Sequence, residues 1–357
     1  MRSGSASRPV QSTAHTSLWV IDGGGDPAQW DRYVASDSGS TFCHQAGWKE
    51  IMTGVLGHES RYLAAVDDAG NWHGVLPLVR VRSMLGHYLI SLPFLNDGGP
   101  VGDHAAQEIL VEFAVDDARK SGAGLLELRA RYEVPGPVEP SNRRIAVHLA
   151  LPSSVDELWK SILRPKLRAQ IRRPGKEGMT FRCGAGELDG FYQVFARNMR
   201  DLGTPVLPRS FFERGVSTFG SAMLFAAVYS KSGIPVAGAC CLHWRRELEV
   251  TWASSLREYS RVSPNMMLYS RLMEEAIDRE VKVFNFGRCS PGGSTHRFKQ
   301  QWGGQDVPLP WPFWSRHATI GVPSAKSSFY RLATAAWSRL PVGVANRVGP
   351  MLARLLP

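Results

Sequence analysis

Residues 281–302 read VKVFNFGRCSPGGSTHRFKQQW. The alternation in VKVFNF predicts a β-strand, which ends in Gly287-Arg288 and breaks into the Ser290–Ser294 loop. Phe298-Lys299 and Trp302 follow within a few residues. Upstream, Ser263-Pro264 offers an N-cap and a first-turn proline, and Tyr269, Met273 and Ile277 recur at i, i+4 and i+8. A helix is therefore expected to run to about Arg279. The local unit is strand, loop, helix, strand, which points to an open α/β sheet.

Working outward, the same plan occurs twice. RYLAAVDDAGNWHGVLPLVRVR reads as a hairpin, and AMLFAAVYSKSGIPVAGACCLHW repeats it, with Ala64-Ala65-Val66 answered by Ala226-Ala227-Val228. Each hairpin leads to a helix and then to a strand ending in arginine, GLLELR at 124–129 and KVFNFGR at 282–288. Two copies of one α/β domain are expected, at 18–150 and 151–315, after a disordered N-terminus at 1–17 and before an amphipathic tail at 316–357. RIAVHLAL is assigned as the last strand of the first copy, behind the loop marked by Pro135, Pro137 and Pro140. The helix opening the second copy is expected to break at Pro165 and to stop before Pro174.

Composition narrows the class. The chain has 357 residues, is 43% hydrophobic and carries a formal charge of +10, which suits a folded protein with polyanionic partners. No apolar run reaches the length of a spanning helix, and the N-terminus lacks the apolar centre of a secretory signal, so a cytoplasmic location is expected. Five scattered cysteines have no metal or disulfide spacing and are read as reduced and buried. The motifs H-E-x-x-H, G-x-x-x-x-G-K-S/T and G-x-S-x-G are absent, and the glycine-rich IDGGGDP and NDGGPVGD read as turns. No metal site is expected. The tail, with Arg331, Arg339, Arg347 and Arg354 among apolar residues, either docks on the domain or lies on an anionic membrane surface.

Candidate site residues collect at the ends of the second copy's strands. Arg257, Arg261, Ser263 and Asn265 surround the loop REYSRVSPN, which feeds a helix N-terminus and so reads as a phosphate nest or an ordinary solvated turn. EVTWASS, with Trp252 and Ser254, reads equally as cleft floor or as a strand leaving the core. Asn285 and Arg288 project where ligands bind in open α/β sheets. Phe298 and Lys299 return toward that cleft, and Trp302 anchors the turn.

The run NMRDLGTPVLPRSFF, with EVTWASS, SPNMMLY, FNFGR and HRFKQQWG, resembles the FemAB-related proteins of exosortase/PEP-CTERM exopolysaccharide systems, within the Fem and GNAT-like acyltransferases. The resemblance implies tandem GNAT-like domains, nearly full length, and transfer of an acyl or aminoacyl group to an amine of a cell-envelope or exopolysaccharide precursor. It implies a donor and acceptor site at Phe298-Lys299, with Lys299 as the leading catalytic residue, stabilising the oxyanion with nearby backbone amides; Arg288, the second catalytic candidate, would with Arg261 and Asn265 hold donor or acceptor phosphates. It implies an acyl-CoA or aminoacyl-tRNA co-substrate and no tightly bound cofactor. Tyr192, Asn198 and Arg200 would border the acceptor cleft. Two departures stand out: the family's Phe-Asp-Phe-Gly-Arg has Asn285 here, and REYSRVSPN lacks the glycines of a CoA pyrophosphate loop. The residues offer no obvious general base. The alternative is a catalytically silent module that binds anionic glycan, RNA or membrane.

Overall fold

The computed structural model describes residues 17–83, 86–316 and 328–356. The disordered N-terminus expected at 1–17 lies outside them except for Ser17, as does the start of the tail at 317–327.

Among the described residues, fourteen strands form two mixed sheets. The chain runs through β1 (Leu18–Asp22), β2 (Glu59–Asp67), β3 (Trp72–Ser83), β4 (Gly86–Ile90), β5 (Val101–Gly102) and β6 (Leu125–Glu127). It continues with β7 (Arg144–Ala150), β8 (Thr180–Cys183), β9 (Met223–Tyr229), β10 (Pro235–Trp244), β11 (Glu247–Ser255), β12 (Val283–Cys289), β13 (Gln305–Leu309) and β14 (Phe313–Ser315). The first sheet has the order β1-β2-β3-β4-β6-β14, with β5 beside β3; the second has β13-β7-β12-β11-β10-β9-β8. Each contains one parallel pair, β4 with β6 and β11 with β12, joined across a helix. Those helices are His104–Ser121, capped by the Asp103 carboxylate and ended by left-handed Gly122, and Pro264–Asp278. The repeat read in the sequence is thus present as two sheets of one plan.

Its boundary is crossed in both directions. RIAVHLAL, expected to finish the first copy, is β7 and lies between β12 and β13 of the second sheet. In return β14, from the end of the second copy, pairs with β6 of the first. Inward-facing Val147 and Leu149 join the second sheet's core, so β7 buries apolar surface there while closing the free edge of β12.

Two local expectations are corrected. The helix Pro165–Lys176 does begin at Pro165 but runs through Pro174. That proline stands two residues from the end, so the helix loses the one bond its N–H would have given to the Gln170 carbonyl and little helix lies beyond it, and its ring is buried. Ser263 precedes Pro264 as expected, but it adopts a left-handed conformation (φ 57°) and its hydroxyl donates to the Ser260 carbonyl instead of capping the helix.

The halves are fused by a shared apolar core. Phe42, Trp48, Ile51, Val79 and Tyr88 from the first meet Phe191, Phe195, Phe211, Phe212 and Phe225 from the second. Phe212 lies at the centre, with ring centroids of Phe191, Trp252 and Phe195 at 5.1, 5.3 and 5.5 Å. Burying each such ring stabilises the assembly by about 1.5–3 kcal/mol, so the cleft between the sheets has fixed walls. The tail helix Val342–Ala353 docks through Ala345, Gly349 and Ala353; a side chain at Gly349 would meet Val206 at 3.1 Å.

Candidate active site

The parallel pairing of β11 with β12 spans Glu247 to Val283, Leu248 to Phe284 and Glu249 to Asn285, and then the strands diverge. Glu249 and Asn285 therefore stand at the vertex of a V that opens toward the ends of both strands. Because side chains alternate along a strand, Leu248 and Val250 enter the second sheet's core while Glu247 and Glu249 face the first half of the molecule. A cleft of about 380 Å³ lies there, with Thr41, Asp97, Arg131, Trp244, Glu247 and Glu249 among its walls.

A buried charge cluster fills its floor. Arg131 donates through Nε to Asp97 (2.7 Å) and through both terminal nitrogens to Glu247 (2.8 and 2.7 Å), and lies 3.7 Å from Glu249. Asn96 and the Thr251 hydroxyl each donate to Glu249 Oε1 at 2.7 Å. Asn285 donates to Glu247 at 2.8 Å and to Glu249 at 3.4 Å, while its carbonyl oxygen accepts from the Gly287 N–H at 2.8 Å. Asn96 and Asp97 reach the cluster from a loop with two non-glycine residues in positive φ, Leu92 at 114° and Phe94 at 72°. Arg129 holds that loop by donating to the Leu92 and Leu95 carbonyls at 3.1 and 2.9 Å. Backbone held in such unfavourable conformations by surrounding bonds is characteristic of functional loops.

Three carboxylates share one guanidinium, so burial and mutual repulsion disfavour ionising all of them. Burial, the Asp97 charge and the Glu247 charge push Glu249 up to about 7. Asp97 is also raised, by burial first. Burial works against the charge of Glu247 too, but the paired Arg131 bonds and Asn285 hold it below its ordinary value. Glu249 is therefore a carboxylate able to take up a proton at neutral pH.

Arg288 lies past the vertex. Between Asn285 and Arg288 the pairing with β7 slips by one residue, a bulge at Phe286-Gly287, where Gly287 has φ 71°. A side chain at Gly287 would come within 2.5 Å of the Val250 carbonyl oxygen. The bulge re-aims Arg288 onto the indole of Trp311, 5.0 Å from the ring centroid.

The residues singled out from sequence divide into several groups. Lys299 is buried on the helix Ser294–Gln300 and donates to the Gly287 and Arg288 carbonyls at 2.6 and 2.9 Å, with burial lowering it to about 8. It clamps the end of β12, and both bonds are to the backbone. Phe298 packs on Tyr269, whose ring also stacks on Phe286, and Trp302 is fully buried in that cluster. Asn198 donates to the Ser254 hydroxyl at 3.1 Å, so those two meet. Tyr192 donates to the Leu207 carbonyl at 3.0 Å, and Trp252 packs against Phe211 and Phe212. Arg200 pairs with Asp201 and donates to the Leu340 carbonyl, which ties the tail to the domain. Arg257 and Arg261 are exposed on the turn before Pro264, with Ser263 and Asn265 half-buried beside them. Sequence reading missed Asn96, Asp97, Arg131, Glu247 and Glu249. The available signal was two acidic residues at alternate positions in an otherwise apolar strand, ELEV.

Residues 162–300 match the acetyltransferase (GNAT) domain. A comparison with curated proteins finds no match. Among solved structures the fold is similar to that of FemX (TM-score 0.63, 15% identity, 83% of this chain and 96% of that one). It is also similar to the C-terminal domain of a putative lysylphosphatidylglycerol synthetase from Agrobacterium fabrum (0.56, 14%, 83% and 93%). A tandem GNAT protein from the clavulanic acid biosynthesis pathway aligns as well (0.51, 12%, 85% and 99%). The two sheets, the parallel pair in each and the matched domain at 162–300 give this chain the fold of tandem GNAT-like domains of the Fem-like kind.

Proposed function

We propose that the protein is an N-acyltransferase of the FemAB-like type, in which Glu249 is the general base. The observation that carries this reading is the placement of a buried carboxylate, raised to about 7, at the vertex between diverging β11 and β12. The acceptor nitrogen gives its proton to Glu249 and attacks the donor carbonyl carbon. The carbonyl electrons move to oxygen, and as they return the bond to the leaving thiol or hydroxyl breaks. The departing group takes a proton, and an amide is the product. Lys299 acts as a positioning residue by holding the end of β12. Arg257, Arg261, Ser263 and Asn265, at the N-terminus of the helix Pro264–Asp278, are proposed to hold donor phosphates.

The donor is an acyl-CoA or an aminoacyl-tRNA. An envelope or exopolysaccharide precursor as acceptor, and the exosortase-linked setting, rest on the sequence resemblance. Mass-spectrometric detection of N-acylated amine, with acyl-CoAs of graded length and with aminoacyl-tRNA, tests the reading. Product formation by the wild type that disappears in Glu249→Gln supports it; no product from any donor turns it toward the silent binding module.

We also propose that the protein meets an anionic membrane surface through its tail. Residues 316–357 contain six Lys/Arg and no Asp or Glu. Leu332 and Met351 are 71% and 60% exposed, and Val344 and Val348 are exposed beside them. Apolar side chains among arginines suit the boundary between acyl chains and anionic headgroups. Among the described residues no helix is long and apolar enough to cross a membrane.

A further inference from the structure

One oxygen of the acid cluster is left without a partner. Asp97 is 2% exposed, and its Oδ2 accepts from Arg131 Nε at 2.7 Å, but Oδ1 is buried with no hydrogen-bond donor among the described residues. Glu247 has both oxygens on Arg131, and Glu249 Oε1 accepts from Asn96 and Thr251. Glu249 Oε2 is held more loosely, with Asn285 at 3.4 Å and Arg131 at 3.7 Å. Asp97 and Glu249 both border the cleft of about 380 Å³, which has room for the head of a small amine. One terminal nitrogen of Arg131 stands 2.7 Å from Asp97 Oδ2 and 3.7 Å from Glu249 Oε2, so both carboxylates come within reach of a single nitrogen atom. A buried carboxylate oxygen without a donor is costly and uncommon in native proteins. Charge points the same way, since three carboxylates face one guanidinium. Of the other arginines at the cleft, Arg245 is turned onto the Val34, Ala35 and Asp37 carbonyls and Arg246 is exposed. A ligand that brings N–H donors and positive charge fits this wall.

We propose that Asp97 binds the acceptor nitrogen beside Glu249, so that the acceptor is an aliphatic amine that enters the cleft as its ammonium ion. This inference rests on the reading of Glu249 as the base. The ammonium gives one N–H to Asp97 Oδ1 and another to Glu249 Oε2, both charge-assisted bonds. When the Glu249 carboxylate takes its proton, the neutral nitrogen keeps Asp97 as an acceptor for a remaining N–H. Its lone pair is then free to form the bond to the donor carbonyl carbon. The second proton lost from nitrogen goes to the departing thiolate or alkoxide. The first half of the molecule thus supplies the substrate-binding acid through the loop that Arg129 holds, and the second half supplies the base.

The test is equilibrium binding of ethylammonium and of tetramethylammonium to the full-length protein, followed by calorimetry and thermal stability at constant ionic strength. The two probes share a charge, and only the first has N–H donors. Ethylammonium is expected to bind saturably with a dissociation constant on the order of 1 mM, and tetramethylammonium at least about tenfold more weakly. Asp97→Asn keeps a carbonyl for Arg131 but turns an N–H donor to the cleft, and is expected to weaken ethylammonium at least about tenfold. The comparison of the two probes on the wild type needs no variant and decides the case in which Asp97→Asn does not fold. Binding is read without turnover, so ethylammonium affinity that depends on Asp97 supports the site even if Glu249→Gln shows that another group is the base. Absence of saturable ethylammonium binding in the wild type, equal affinity for the two probes, or unchanged affinity in folded Asp97→Asn overturns the proposal.

Discussion

Arg129 and Arg288 share one indole: their guanidinium carbons lie 4.8 and 5.0 Å from the ring centroid of Trp311. The first arginine follows a strand of the first sheet and the second belongs to a strand of the second. Trp311 stands on the segment that leaves β13 for β14, with φ 35°. The exchange of end strands between the sheets therefore passes through this stack. Trp311→Ala is expected to destabilise the protein by about 3–5 kcal/mol, the range for removing a buried large aromatic side chain. A denaturant melt checks it.

Glu249→Gln is expected to lower kcat/KM by about 10²–10⁴-fold. The wild-type rate should rise with pH through an apparent pKa near 7, and that limb should vanish in the variant. A pH–rate profile of both proteins decides; an unchanged limb would assign the proton to another group.

The same carboxylate predicts a stability change of definite sign. Its folded value, about 7, lies above its ordinary 4.5, so the folded state binds this proton more tightly. The associated stability is full below 4.5 and is lost as pH rises toward 7. Thermal melts from acid to mildly alkaline pH should show a fall that Glu249→Gln flattens, with the variant the more stable protein at the alkaline end.

Asn285→Asp restores the carboxylate of the Fem-type motif and places a fourth acid beside Asp97, Glu247 and Glu249. The donation to Glu247 is lost, while the Gly287 N–H keeps its acceptor. The expected result is a loss of about 1–3 kcal/mol and a pH–rate limb moved to higher pH. Melting at two pH values together with the rate profile tests it.

Lys299→Met should cost about 2–3 kcal/mol by leaving the Gly287 and Arg288 carbonyls without their charged donor. Because the clamp holds the end of β12 beside the vertex, a lower kcat/KM should accompany the loss. A folded variant with wild-type KM and kcat would remove Lys299 from the site altogether.

For the tail, vesicles containing phosphatidylglycerol should carry the protein down on centrifugation and neutral phosphatidylcholine vesicles should not. Leu332→Glu with Met351→Glu changes exposed side chains only, and is expected to abolish co-sedimentation without altering the melting temperature. Equal binding of both vesicle types, or by both proteins, would dismiss the membrane contact.

Much of the architecture was legible along the chain because it is local. Alternation in VKVFNF and a 3.6-residue period in the helix before it identify β12 and the helix Pro264–Asp278 within a residue or two, and the matched hairpins and terminal arginines revealed the repeat. These signals depend on neighbours two to four residues apart. The strand exchange did not show, since β7 reads as a strand equally well in either sheet, the three-residue β14 is too short to signal, and only the open edges of β12 and β6 select their partners. Pro174 misled because the cost of its lost bond is set against the burial of its ring, which only the packed structure shows. The charge cluster was hidden because Asn96, Asp97, Arg131, Glu247 and Glu249 come from distant parts of the chain and acquire their chemistry only when folding removes water from between them. Sequence alone thus determined the elements, their duplication and the arginines that end the strands. Tertiary structure decided that Arg129 is tied to the scaffold and that Glu249 is pushed up to about 7, because both depend on burial and on groups brought together from distant parts of the chain.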